Sequence, residues 1–195
     1  MTLSLNRAAQ IIAIALIATV VTQILYVHFE VNGDPAIAYP IWRTEAYAFL
    51  AIGLAAFAFV RDMPIVAGGL IIGAVFNVIQ TGVGIALFNP VFGGGEALAP
   101  LGGALVGFAF FLYHAAKVAL AASAIAIGML AWNGASGWPK IAGALAGVTG
   151  LIALLSNLAA MTVGRDLAQV AGGSGTAAVF FLALAIGAVR PVADR

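Results

Sequence analysis

The longest apolar segment of the chain is Leu101–Trp132, LGGALVGFAFFLYHAAKVALAASAIAIGMLAW. It is longer than the stretch of about 20 apolar residues that an α-helix needs to cross the hydrocarbon core of a bilayer. Its only basic side chains are His114 and Lys117, close to its middle. Because an ionisable side chain at that depth is costly, it normally faces the interior of a helix bundle. The segment therefore predicts a membrane-spanning helix that belongs to a bundle.

The composition of the whole chain agrees with this interpretation. Hydrophobic residues make up 64% of the 195 residues and charged residues 8%, whereas soluble domains carry about 25% charged residues. A soluble fold of this size could not bury so much apolar surface. The net charge of +1 argues against a nucleic-acid partner, and the lack of cysteine excludes disulfides and thiolate metal sites. Two histidines without an acidic cluster also argue against an all-protein metal site.

The predicted fold is all-α: a polytopic integral membrane protein whose single domain, residues 1–195, is a bundle of six transmembrane helices. The spans are placed at about 8–28, 46–60, 65–88, 101–132, 141–163 and 167–189. Residues 29–43 are expected to form the longest connection, and Asn89-Pro90 to end the third span. The glycine-rich run Gly172–Gly175 suggests that the regular part of the sixth helix begins only near Thr176. A cleaved signal peptide is the rival interpretation of the first span, but that apolar run is too long for one.

The distribution of basic residues predicts the orientation. With six spans both termini lie on one side, and Lys and Arg concentrate on the cytoplasmic side of membrane proteins. That side has five of them, and the opposite side has Arg43 and Arg165. We therefore expect both termini in the cytoplasm. Five acidic residues then fall at the outer ends of the helices: Glu30, Asp34, Glu45, Glu96 and Asp166.

Polar side chains at membrane depth are the candidate ligand-binding residues, or an internal polar network. Lys117 is the strongest candidate, because a buried ammonium group needs a partner. His114 and Tyr113 precede it by three and four residues, which places all three along one helix face. The complete set is His114, Lys117, Tyr113, Asn77, Gln80, Asn157, Gln23 and Glu45.

The candidates share a depth. They fall between the middle of the membrane and its outer face, whereas the inner half is almost entirely apolar. This pattern predicts a polar pocket that opens to the outside. The structural alternative is that Asn and Gln only bridge neighbouring helices, at about 0.6 kcal/mol each. No catalytic or metal-binding residue is predicted.

The partner of Lys117 is left open by the sequence. Glu45 is placed at the outer end of the second span, so no carboxylate is expected at the depth of Lys117. Lys117 would then be uncharged, or it would bind an anionic ligand, or Glu45 would reach down to it. No cofactor is required. A haem or pigment held by His114 is an alternative, whereas a retinal Schiff base would need a seventh helix and a counter-ion.

Three functions fit these observations. The first is transport, channelling or capture of a small solute, which rests on the polar pocket and Lys117. The second is an accessory subunit of a larger membrane complex, with haem or pigment, in which glycine stripes are contact surfaces. A homo-oligomer is a further option. The third is a small membrane enzyme, which is the weakest because no catalytic motif is present.

Overall fold

The computed structural model describes residues 3–28 and 35–188 and has an all-helical fold. The helices are α1 (Leu5–His28), α2 (Pro35–Ala56), α3 (Pro64–Val83), α4 (Asn89–Phe92), α5 (Ala99–Gly134), α6 (Trp138–Val163) and α7 (Ala168–Ala188). Short 3₁₀ turns follow α2 and precede α5 and α7, and a π-helical segment, Gly84–Phe88, joins α3 to α4. Within the described ranges, six helical stretches are long and apolar enough to cross a membrane, which confirms the predicted number.

The second helix is longer than predicted. It begins at Pro35, and Pro40 lies inside it, so residues 35–43, which were predicted to belong to a connection, are helical. Proline suits the first turn of a helix, because the N–H groups there have no intrahelical acceptor. The sequence signals for a loop were therefore signals for a helix start. The rest of the predicted connection, residues 29–34, lies outside the described residues.

Two other predicted breaks are also helical. Asn89-Pro90 does not end the third helical stretch, because the π-helical turns of Gly84–Phe88 come first and α4 continues to Phe92. Pro90 lies at the start of α4, directly after the wider π-helical turns, where a helix does not need the N–H that proline lacks. The glycines of Gly172–Gly175 lie inside α7, which is regular from Ala168 rather than from Thr176. Gly172 lies against Tyr113 of α5. Gly175 lies against Lys117 of the same helix, so two of the three glycines serve packing.

The long helices form a closed ring in the order α1, α2, α3, α5, α6, α7. α5 also contacts α7 directly, so it divides the ring into a group of five helices and the outlying α6. One half of the five-helix interior is filled by a large apolar cluster that includes Ile12, Leu16, Phe59, Leu120 and Leu182. This is the half that contains the predicted cytoplasmic ends, and it is apolar as expected.

Glycine allows α5 and α6 to pack almost backbone to backbone. A Cβ atom on Gly128 of α5 would lie 2.8 Å from the carbonyl oxygen of Gly143 and 2.8 Å from Cα of Gly147. Such distances are below van der Waals contact, so only glycine fits at position 128. The close contact fixes the register of the two helices and thereby the height at which their polar side chains meet.

Candidate functional site

Each of the five helices around the interior contributes a polar residue near the middle of the bundle. They are Thr22 on α1, Glu45 on α2, Asn77 on α3, Tyr113 and Lys117 on α5, and Thr176 on α7. We call Thr22, Glu45, Tyr113, Lys117 and Thr176 the central polar cluster, since contacts and electrostatic interactions connect them. The cluster lies just beyond the large apolar core.

Glu45 is the acidic member of the cluster, and α1 holds it in place. The hydroxyl of Thr22 lies 2.9 Å from Oε1 of Glu45 and 2.9 Å from the carbonyl oxygen of Thr19, so its single hydrogen can be donated to either. Because α2 starts at Pro35, Glu45 lies in the middle of its helix and not at the outer end. Of the alternatives left open for Lys117, this position favours Glu45 as its partner.

Lys117 is the basic member, and its stem is firmly packed. The side chain is 5% exposed, and a Cβ atom on Gly175 would lie 2.9 Å from its Cδ and 3.0 Å from its Cγ. Its Nζ lies 5.2 Å from the centre of the Tyr113 ring, which is a cation–π distance. Glycine at position 175 thus lets α7 close over the aliphatic stem while the ammonium end stays against an aromatic face.

Tyr113 is fixed from its other end. Its hydroxyl lies against α7, where a Cβ atom on Gly172 would be 3.4 Å from the Tyr113 oxygen. Thr176, one turn further along α7, donates its hydroxyl to the carbonyl oxygen of Gly172 at 2.9 Å. The ring that supports Lys117 is therefore anchored on α7.

The two charged groups interact without touching. Glu45 and Lys117 act on each other electrostatically, and Glu45 also acts on Tyr113. No carboxylate oxygen lies within 4.0 Å of Nζ of Lys117 among the described residues. Nζ makes no hydrogen bond to any of them either, yet no fully enclosed side-chain nitrogen or oxygen in this part of the chain lacks a partner. Nζ therefore keeps a small patch of surface that a water molecule can reach.

An aromatic layer covers the cluster on the side of the predicted outer face. Trp42 lies three residues before Glu45, and Tyr26 lies four residues after Thr22, which is one helical turn in each case. The Trp42 ring lies 6.2 Å from that of Tyr26, 6.0 Å from Tyr39 and 5.8 Å from Phe88, measured between centroids. Trp42 also packs against Gly84, where the π-helical segment begins.

No known family model, curated protein or solved structure matches the chain. The chemistry of the site residues is therefore the basis for a functional proposal. Of the eight candidates from the sequence, the structure brings Lys117, Tyr113 and Glu45 into the central polar cluster. His114 and Asn157 form a separate pair.

The pair of His114 and Asn157 joins three helices on the far side of α5. Nδ1 of His114 lies 2.8 Å from Oδ1 of Asn157, and the Asn157 amide nitrogen donates to the carbonyl oxygens of Ala153 and Ala171. Two carbonyl acceptors fix the amide orientation, so Nδ1 of His114 carries the hydrogen. Both side chains are buried, at 3% and 0% exposure. This packing favours a structural role and leaves little room for a haem beside His114.

Among the described residues, no hydrogen bond joins the remaining candidates to the central polar cluster. Asn77 is buried, but its amide donates to Gly73 in its own helix at 2.9 Å. Gln80 lies one turn further along α3 and is half-buried, as is Gln23 on α1. Asn77 lines the same five-helix interior, whereas nothing connects Gln23 to the site.

Two members of the cluster, Thr22 and Thr176, were not predicted. Threonine in a membrane helix usually bonds to a carbonyl of the preceding turn, as both of these do, so its presence carries little information. One signal was available: Thr19, Thr22 and Tyr26 recur at intervals of three and four residues and mark one polar face of α1.

Replacing Asn157 by leucine is expected to lower the stability of the protein by about 2 kcal/mol, because it leaves Nδ1 of the buried His114 without its partner and removes a hydrogen bond between α6 and α7. Asn77→Leu is the matched control: it removes a buried amide that bonds only within its own helix, so about 0.6 kcal/mol is expected. Denaturant unfolding in detergent, followed by tryptophan fluorescence, measures both. Equal losses would contradict the role assigned to Asn157.

Proposed function

We propose that the chain is a multi-pass membrane protein that binds a small polar solute at the central polar cluster, for transport or capture. The observation that carries the proposal is the separated charge pair. A carboxylate and an ammonium group on different helices interact electrostatically, and neither makes direct contact with the other. Uncompensated charges in the middle of a bundle are costly, and they mark substrate or ion pathways.

The packing around the pair supports binding rather than a purely structural role. A structural ion pair would be expected to close into direct contact, which maximises the Coulomb attraction in a low-dielectric interior. Here Gly175 and Tyr113 hold Lys117 in place, and Thr22 holds Glu45. The residues that surround the charges thus keep a gap between them, which is the geometry of a site prepared for a third group.

The aromatic layer suggests how access is controlled. Trp42 is 6% exposed and fills the path from the predicted outer face to Glu45, so a solute would need this layer to move. The π-helical segment beside Trp42 offers a hinge, because such segments are often found at functional sites. In this proposal the site is outward-facing and gated, not open.

The orientation is tested by labelling single cysteines, which the absence of natural cysteine makes simple. Glu96 and Ser136 flank opposite ends of α5, a helix of 36 residues. We expect a membrane-impermeant maleimide to label Glu96→Cys in intact cells. Ser136→Cys should react only after the membrane is permeabilised. The reverse pattern would place the termini outside and contradict the outward-facing site.

Solute binding is tested with purified protein and a panel of small carboxylates, amines, amino acids, sugars and polyols. We expect at least one of them to raise the melting temperature of the wild type, since ligands that bind the folded state stabilise it. The shift should disappear in Lys117→Met and persist in Lys140→Met, which removes a half-buried lysine whose Nζ lies over the Trp132 ring. An equal shift in both variants, or no shift with any solute, would refute the proposal. Uptake into proteoliposomes then separates transport from capture.

The complex-subunit alternative has one observation in its favour. An open apolar groove of about 530 Å³ lies between α1 and α7, away from the polar cluster, and is lined by Ile14, Ile17, Trp138 and Leu184 among others. It would suit a lipid chain or a neighbouring helix. A Soret or chlorophyll absorption band in the purified protein, or stoichiometric co-purification of other membrane subunits, would favour this alternative over solute transport.

A further inference from the structure

The central polar cluster has a charge pattern that narrows the class of solute. Its two charged groups have opposite signs, and each has an atom without a hydrogen-bond partner among the described residues. Nζ of Lys117 has three donor hydrogens and no acceptor, and Oε2 of Glu45 has no donor. A ligand that satisfies the hydrogen bonding of both groups must present an acceptor to Lys117 and a donor to Glu45.

A singly charged solute matches this pattern poorly. An anion would pair with Lys117 but would place a second negative charge beside Glu45. A cation would pair with Glu45 but would be repelled by Lys117. In a low-dielectric interior such repulsion is large enough to exclude the wrong charge type. A neutral solute would leave both charges uncompensated, which is expensive in the middle of a bundle.

We infer that the site binds a zwitterionic solute of amino-acid type, with its carboxylate on Lys117 and its ammonium on Glu45. The inference rests on the proposed function and specifies the substrate class of that site. The ammonium and carboxylate of such a molecule are rigidly close together, so the pair can bridge charges that are near one another but not in contact. Thr22, which shares Oε1 of Glu45, leaves Oε2 for the ligand.

The anchoring of the charges gives the site a fixed spacing. Lys117 is packed between Gly175 and Tyr113, and the Tyr113 hydroxyl lies against α7 at Gly172. Glu45 is tied to α1 through Thr22. These contacts hold both side chains in place before a ligand binds, so the ligand does not have to separate an existing ion pair.

The test compares each neutral amino acid with two derivatives that lack one charge. Glycine, L-alanine, L-serine and L-leucine are the zwitterions; their amides lack the carboxylate, and their N-acetyl forms lack the ammonium. Thermal shift of the full-length protein gives an apparent affinity for each compound. We expect at least one zwitterion to bind at least ten-fold more tightly than both of its derivatives.

Variants assign each charge to its partner. In Glu45→Gln the preference for the zwitterion over the N-acetyl form should fall to less than two-fold, while the preference over the amide remains. In Lys117→Met the reverse is expected. Lys117→Arg and Glu45→Asp keep the charges and should keep both preferences, so that loss of fold is distinguished from loss of recognition. Lys140→Met should behave as the wild type.

The outcomes separate this inference from the proposed function. If an amide, an N-acetyl form or another singly charged or neutral solute binds as tightly as the best zwitterion, the zwitterion inference is wrong and the solute site stands. If none of these compounds and no member of the wider panel shifts the melting temperature, both are wrong. A zwitterion preference that both Glu45→Gln and Lys117→Met leave intact would also overturn the inference.

Discussion

Replacing Gly128 by valine is expected to separate α5 from α6 and to destabilise the folded protein by about 3 kcal/mol or more. A Cβ atom at this position would lie 2.8 Å from the Gly143 carbonyl oxygen and 2.8 Å from Cα of Gly147, and these atoms belong to the backbone. A flexible side chain could move aside, but two helix backbones cannot separate locally without losing the contacts of several turns. Thermal unfolding in detergent, read by fluorescence-detected gel filtration, measures the loss.

Gly107→Val on the same helix is the control for this experiment. It has the same change in size and in helix propensity, but no atom lies within 4 Å of the Cβ position at Gly107. The control should therefore lose at most about 1 kcal/mol, the range of helix propensity differences. If both variants unfold alike, propensity rather than packing determines the effect, and the register that positions His114 and Asn157 does not depend on Gly128.

Removing one charge of the central polar cluster is expected to cost more than removing both. Lys117→Met should lower the stability by about 3 kcal/mol, because it leaves Glu45 as an uncompensated charge inside the bundle. Glu45→Gln should have a similar effect on Lys117. The double variant should recover most of the loss, since two neutral side chains leave no charge to compensate. Denaturant unfolding of the four proteins gives the coupling energy.

The double-mutant cycle decides whether the two charges form a unit. If the two single losses add in the double variant, Glu45 and Lys117 are independent, and the separated pair at the centre of the proposed site does not exist. Lys140→Met is the control for a lysine outside the bundle interior. Its Nζ lies 4.5 Å from the Trp132 ring centre, and loss of this cation–π contact with an exposed tryptophan should cost about 0.5–1 kcal/mol.

The prediction of Glu45 shows how one helix boundary can change a site. Pro35 and Pro40 were interpreted as loop residues, which placed Glu45 at the outer end of a short span. In the structure both prolines lie in α2, so Glu45 moves to the middle of the helix and becomes the carboxylate that Lys117 lacked. The error has a physical cause: Pro35 occupies the first turn of α2, where a helix accepts proline, whereas Pro40 lies in the second turn, where proline is ordinarily unfavourable. No local sequence signal shows that the helix continues through Pro40.

The polar residues predicted to share one face of α5 belong to two separate networks in the structure. His114 and Lys117 are three residues apart and therefore about 60° apart around the helix axis. That angle directs His114 to Asn157 on α6 and Lys117 towards α7 and Glu45. Two residues one helical turn apart thus belong to two different networks, which lie on different sides of α7.

The sequence by itself determined the all-helical architecture, the six long apolar helices and the identity of Lys117 as the residue that most needed a partner. These properties follow from composition and from the cost of polar groups in apolar surroundings, which are local quantities. Only the tertiary structure decided that Glu45 interacts with Lys117 without touching it, that Thr22 contacts Glu45, and that Trp42 packs one turn away from Glu45. Those facts depend on helix register and rotation, which side-chain packing between distant segments sets, and no local pattern in the chain encodes them.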